Sequence, residues 1–143
     1  MQDLKRKLIL KRWSSMCVPW LEGGFNIKEV LAWNYALLSK WIWRLAQNQE
    51  GIWSNWTRHY CLANSSIWDA THKDHYAESF RSILRVRDIW IDRKGSHAQA
   101  SLNSCIVNGK FNTGKAYDLL RMKMPKLRWT HSIAGVEIMV VFL

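Results

Sequence analysis

Residues 22–45 read Glu22-Gly23-Gly24-Phe25-Asn26-Ile27-Lys28-Glu29-Val30-Leu31-Ala32-Trp33-Asn34-Tyr35-Ala36-Leu37-Leu38-Ser39-Lys40-Trp41-Ile42-Trp43-Arg44-Leu45. A turn over Pro19–Gly24 feeds a long apolar stretch with three tryptophans. Two glycines in succession let the backbone take positive φ at little cost. The spacing predicts a helix from Asn26 or Ile27 to Ala46, with Asn26 as N-cap and Glu29 as its capping-box partner. At 100° per residue a wide apolar arc gathers Val30, Leu31, Trp33, Tyr35, Leu37, Leu38, Trp41, Ile42 and Leu45. Lys28, Glu29, Ser39, Lys40 and Gln47 fall opposite. Asn34 sits inside the arc, where its amide needs a partner, and a neighbouring backbone group is expected to supply it. Trp43 falls on the polar side. Either it meets a partner or the next helix covers it, and covering is the stronger expectation because large aromatics rarely stay bare. Gly23, Gly24, Asn34 and Trp41 are therefore the structural residues of the stretch.

On the N-terminal side, Leu8–Leu10, Trp13 and Val18 fit a strand or a short helix equally well. On the C-terminal side, residues 47–51 form a connection. Ile52 to Leu62 then reads as a second helix burying Ile52, Trp53, Trp56, Tyr60 and Leu62, antiparallel to the first across a short loop. A third helix is expected from His72 to about Asp92, with Tyr76, Phe80, Ile83, Leu84 and Trp90 on one face. Asp88 and Asp92 are expected to take up part of the arginine charge there, Arg85 included. Residues 98–112 are weakly patterned. Cys105-Ile106-Val107, Asn108-Gly109 and Phe111 suggest a hairpin, since Asn-Gly suits a type I′ turn. Thr113 is expected to cap a fourth helix running from Lys115 to about Met122, with Pro125 as its stop. The fold class is mainly α: loosely packed antiparallel helices with a short β-hairpin near residues 104–112. Residues 1–133 form one helical region, and residues 134–143 an atypical tail.

The chain has 143 residues, 48% of them hydrophobic, with ten tryptophans and a net charge of +10. That composition excludes disorder and leaves material for a core. The charge is uneven: residues 81–128 hold eleven basic groups against Asp88, Asp92 and Asp118, whereas residues 26–80 balance. Such asymmetry points to a polyanion partner, or else to a solvated basic face. Cys17, Cys61 and Cys105 are scattered, with no zinc spacing, and read as reduced, mostly buried thiols of an intracellular protein. No secretory leader is seen at Met1–Lys7, and the apolar run Ile138–Leu143 is too short to span a bilayer, so no membrane partner is expected.

No catalytic constellation emerges. There is no adjacent aspartate pair to hold two metal ions for nucleotidyl transfer. His72 and His75 share a face with Asp69 or Glu78, but four converging ligands are not evident, and no metal or cofactor is expected. Thr113-Gly114-Lys115 lacks the rest of a phosphate loop and reads as an ordinary helix start. What remains is a basic surface interleaved with aromatics. Arg81, Arg85, Arg87, Arg93, Lys94, Lys110, Lys115, Arg121 and Lys123, with Lys126 and Arg128, could neutralise phosphates while exposed rings stack on bases of RNA or single-stranded DNA.

One resemblance organises these features. Trp13, Cys17, Pro19, Glu22, Gly23, Gly24 and Ile27, followed by Trp33, Asn34, Ala36, Leu37, Leu38, Lys40, Trp41, Trp43, Arg44 and Leu45, form a pattern that resembles the C-terminal region of plant non-LTR (LINE-type) retrotransposon reverse transcriptases. Ile52, Trp53 and Trp56, the run Phe80–Asp88, Asn108–Phe111 and Lys115–Leu120 also look like that family. The likeness covers roughly residues 8–133. The family's paired-aspartate polymerase motif lies upstream of this region and is absent here, as are the Cys/His ligands expected downstream. The Trp90–Cys105 stretch is shortened. The change of character after Ile133 fits a lost reading frame. The resemblance implies a non-catalytic fragment of a retroelement polyprotein, nuclear or cytoplasmic, with residual sequence-independent affinity for RNA or single-stranded DNA. An inert translated fragment and a protein-interaction module using Trp43 are the alternatives. Loss of neighbouring segments would leave apolar faces uncovered and open to self-association.

Overall fold

The computed structural model describes residues 12–126; the expectations for Leu8–Leu10, Arg128 and the tail at 134–143 lie outside them. In chain order the elements are α1 (Trp13–Met16), a 3₁₀ turn (Trp20–Glu22), α2 (Val30–Ala46), α3 (Ile52–Tyr60) and α4 (Glu78–Lys94). A second 3₁₀ turn (Gly95–His97), α5 (Ala98–Asn103), β1 (Ile106–Val107), β2 (Lys110–Phe111) and α6 (Thr113–Leu120) complete them. The fold is mainly α with one small antiparallel hairpin, as expected. The described residues divide into two units: residues 12–29 with 122–126, and residues 30–121.

In the first unit the diglycine turn does two different jobs. Gly23 ends the 3₁₀ turn at φ 83°, the left-handed region that favours glycine. Gly24 has no such torsion, but a Cβ there would lie 2.0 Å from the Val18 carbonyl oxygen. Only a residue without a side chain allows the chain to fold back so closely. The return is fixed by Phe25 N–H donating to Met16 O at 2.9 Å and Asn26 N–H donating to Val18 O at 3.0 Å. Cys17 and Val18 are buried beneath it. The Glu22 carboxylate accepts from Met124 N–H at 2.8 Å, joining residue 124 to the turn.

Asn26 is not an N-cap. It takes φ 57°, and α2 begins four residues later at Val30, so the capping box with Glu29 does not form.

In the second unit α2 packs against α3, α4, α5 and α6. Its buried face differs from the expected arc. Ala32, Ala36, Ser39, Ile42, Trp43 and Leu45 are buried, whereas Val30, Leu31 and Leu37 are exposed. Ala32, Ala36, Ser39 and Trp43 follow at i, i+4, i+7 and i+11, one continuous stripe. Its small members let neighbouring helices approach closely, and hydropathy counting gives them no weight. Ser39 Oγ donates to Tyr35 O at 2.7 Å and accepts from Trp90 Nε1 of α4 at 2.8 Å. Trp90 is 1% exposed, so its indole N–H has no access to water. Trp33 meets Tyr117 of α6 edge-on at 5.7 Å. Trp43 is buried, and its ring lies 5.8 Å from that of Phe111 on β2. Trp43 is covered, but the ring shown against it is Phe111 of the hairpin rather than one from the next helix, and an exposed Trp43 interface is overturned. Asn34 is exposed, so its amide reaches water and needs no internal partner.

The remaining helices show similar shifts. On α3 the buried residues are Ser54 and Thr57; Ile52, Trp56 and Tyr60, expected inside, face outward. The expected core face of α4 holds: Tyr76, Phe80, Ile83, Leu84 and Trp90 are all buried. The helix starts at Glu78 rather than His72, because residues 61–77 are tied down as loop. Tyr76 Oη donates to Cys61 O at 2.7 Å, and the Arg87 guanidinium donates to Ile67 O at 3.0 Å and to Ala70 O. Arg87 also forks onto Asp88 Oδ1 at 2.9 and 2.6 Å, while His72 Nε2 lies 2.6 Å from Asp88 Oδ2.

The weakly patterned stretch after residue 97 forms α5, whose Ala98 and Leu102, with Cys105 just beyond, are buried. The hairpin forms as expected, with Asn108 at φ 51° and Gly109 at φ 73°. The N-cap of α6 is Asn112, not Thr113: its side chain accepts from Lys115 N–H at 3.0 Å. The helix ends at Leu120, five residues ahead of Pro125.

Two predictions follow from this packing. Trp90→Phe and Trp43→Phe remove the same ring volume, but Trp90 loses a buried hydrogen bond, whereas the Trp43 indole nitrogen has no hydrogen-bond partner among the described residues. In urea titrations Trp90→Phe should therefore cost about 1 kcal/mol more than Trp43→Phe; equal losses would refute the role given to the Ser39 bond. The second concerns acid. Burial pushes the Asp88 carboxyl up, but hydrogen bonds and charge from His72 and Arg87 outweigh it and hold it below the usual carboxylate range. A depressed carboxylate contributes stability above its unfolded value of about 3.9, and that stability is lost as pH falls through the folded value. Thermal melts should show Asp88→Asn less stable than the parent near neutrality, with the gap closing below about pH 4. A gap that stays constant on acidification would contradict the linkage.

Candidate nucleic-acid interface

The nine basic candidates separate into distinct situations once their partners are known. Arg87 is 5% exposed and committed to Ile67, Ala70 and Asp88, so it is an internal tether and is withdrawn from any phosphate-binding surface. Arg81 and Arg85 lie one and two turns along α4 from Glu78 and both pair with it, each at 2.7 Å. The Arg85 hydrogen bond first, and the charges of both arginines, hold the Glu78 carboxyl below its usual range. The expected pairing of Arg85 with Asp88 or Asp92 does not occur; Asp88 takes Arg87 and His72 instead. Arg121 pairs with Asp118 at 3.0 Å, three residues back on the α6 surface.

The remaining cations of this unit sit elsewhere. Arg93 is at the C-terminal end of α4 and donates to Leu120 O, so the ends of α4 and α6 lie side by side. Lys94 follows it. Lys110 is on β2 and Lys115 in the first turn of α6, both exposed. Glu78 and Lys94 stand at opposite ends of a 17-residue helix, about 24 Å apart at 1.5 Å per residue. That exceeds a Debye length of about 10 Å in ordinary salt, so Glu78 does not offset Lys94. Lys123 is exposed in the other unit, with Lys126. Of the nine candidates, those in residues 30–121 with no ion pair to a carboxylate among the described residues are therefore Arg93, Lys94, Lys110 and Lys115, and exposed Lys40 and Lys73, not among the candidates, add to the accessible charge.

The other candidate chemistries are also placed. Among the described residues no group of three or more His, Cys, Asp or Glu side chains is arranged to hold a metal ion. His72 is engaged with Asp88, and His75 packs edge-on to Tyr76 at 4.9 Å. All three cysteines are free, and burial pushes each thiol up, away from nucleophilic thiolate. No described helix is long and apolar enough to cross a membrane.

Two features were not anticipated. One is the outward face of α3, where Ile52, Trp56 and Tyr60 are 94, 51 and 67% exposed and the Trp56 and Tyr60 rings lie 5.5 Å apart. The i, i+4, i+8 spacing is visible in the sequence, but by hydropathy alone it reads as a core face. The other is the pairing of Trp41 with Trp53 across α2 and α3, at 4.8 Å between ring centroids and 64° between planes, with the Arg44 guanidinium 5.1 Å from the Trp41 ring. No sequence signal short of the correct helix phase would have found it.

Comparison with known proteins adds one relative. The chain is 40% identical over 89 residues to an Arabidopsis thaliana protein described as "Putative ribonuclease H protein". The matched stretch is 59% of this chain and 14% of that protein. No family model matches, and no solved structure does.

Proposed function

We propose that this chain is a non-catalytic piece of a retroelement reverse-transcriptase polyprotein that keeps weak, sequence-independent affinity for RNA or single-stranded DNA. The observation that carries the reading is the set of candidate cations with no carboxylate partner among the described residues: Arg93, Lys94, Lys110 and Lys115, on α4, β2 and α6. Their partner would be a polyanion. Two sequence likenesses point the same way. The Trp33–Leu45 run resembles LINE-type reverse transcriptases, and the Arabidopsis relative is named for an activity on RNA. The chain carries no adjacent aspartate pair, so on this reading nucleotidyl transfer belongs to other parts of such a polyprotein. Self-association through the outward face of α3 would accompany this role rather than replace it.

A salt series of filter binding to single-stranded RNA tests the reading. Three or four neutralised phosphates give a slope of log K against log salt of about −2 to −3. Lys94→Gln and Lys110→Gln should each flatten it by about 0.7. Glu78→Gln should free Arg81 and Arg85 and steepen it. Absence of binding at low salt would reject the proposal and leave an inert fragment.

A further inference from the structure

Between α2, α3 and α4 lies an open groove of about 390 Å³, lined by Asn34, Leu38, Trp41, Trp53, Ser79 and Ser82 among others. The geometry points to this groove as a seat for one unstacked nucleobase of a single-stranded nucleic acid. The assignment rests on the nucleic-acid reading above and gives it a site.

The walls decide the ligand. Trp41 and Trp53 stand at 64° to one another, so together they make a corner rather than a flat floor. A planar ring can lie against one indole while its edge meets the other. Both indoles are only half-buried and keep open surface on the groove. Arg44 lies over the Trp41 ring and helps hold that wall in place. The volume falls within the range of small-ligand sites.

No lining residue carries a charge, which makes the groove a poor seat for phosphate and a good one for a neutral ring. A plain hydrocarbon would leave Asn34, Ser79 and Ser82 without use. An amide and two hydroxyls offer both donors and acceptors, which is what the edge of a nucleobase presents. Asn34 is exposed, and its amide is free to turn toward whichever edge arrives.

The test compares two labelled RNA oligonucleotides of equal length and charge, one normal and one abasic, by fluorescence polarisation at low salt. Stacking of one base is expected to make the normal strand bind about 5- to 150-fold more tightly. Ser82→Leu, which fills the groove without removing a wall, should erase that difference and leave the salt slope unchanged. Asn34→Ala, at an exposed position, should reduce it while the protein melts as the parent does. Equal binding of normal and abasic strands overturns the groove assignment and leaves the phosphate-binding reading standing. If neither strand binds, the phosphate-binding reading falls. The groove is then judged on free adenosine alone, through the Trp41 and Trp53 indole N–H signals in NMR. Shifts that Ser82→Leu abolishes would retain it as a base site, and unmoved signals would overturn it.

Discussion

A single buried hydrogen bond sets the geometry of the larger unit. Trp90 must bury a large ring on α4, and with it an indole N–H that would be costly to leave unmade. The acceptor is Ser39 of α2, itself fully buried and anchored to the Tyr35 carbonyl. That bond fixes which face of α2 turns toward α4. Once Ser39 points inward, Ala32, Ala36 and Trp43 must share its stripe, and Val30 and Leu37 must face out. Trp41 is then left half-buried at the margin, where it meets Trp53. The groove is a by-product of this phase: had the broad apolar arc been buried instead, the Trp41 indole would lie in the core.

The same bond explains what could be read in advance. Elements with strong local chemistry were legible. The Asn108-Gly109 turn, the glycine at 23, the apolar face of α4 and the buried cysteines all follow from short-range rules. The phase of α2 and α3 was not legible, because the residues that mark it are alanine, serine and threonine. Hydropathy favours leucine and tryptophan over these, yet Ser54 and Thr57 are buried on α3 while Ile52 is almost wholly exposed. The start of α3 at Ile52 is as expected, but that of α4 is not, for a related reason. The late start of α4 reflects loop carbonyls held by Arg87, a tertiary tie that no local pattern announces.

The candidate site was legible as a composition and not as a surface. Eleven basic residues within 81–128 are a fact of the sequence, but charge is spent in pairs. Arg87 is consumed inside the fold, Arg81 and Arg85 share one carboxylate, and Arg121 has Asp118. The pairs of Arg81, Arg85 and Arg121 are short-range, so sequence spacing names the eligible partners without choosing among them. Asp88 illustrates the choice: it stands three residues from Arg85 but binds Arg87 and His72. Lys110 and Lys115 stay exposed although Asp118 stands three residues from Lys115, so spacing alone does not say which cations pair.

The close return of the chain over Val18 has a genetic consequence. Any side chain at position 24 would collide with the Val18 carbonyl, so this site admits one amino acid. Glycine is encoded by four triplets that differ only in the third base, and every change at the first or second base replaces it. Two thirds of the nucleotides at that codon therefore report directly on whether the turn still has to form. Among diverging copies of such a gene, position 24 records the end of selection for this fold earlier than the broad apolar positions of α2, where one hydrophobic residue substitutes readily for another.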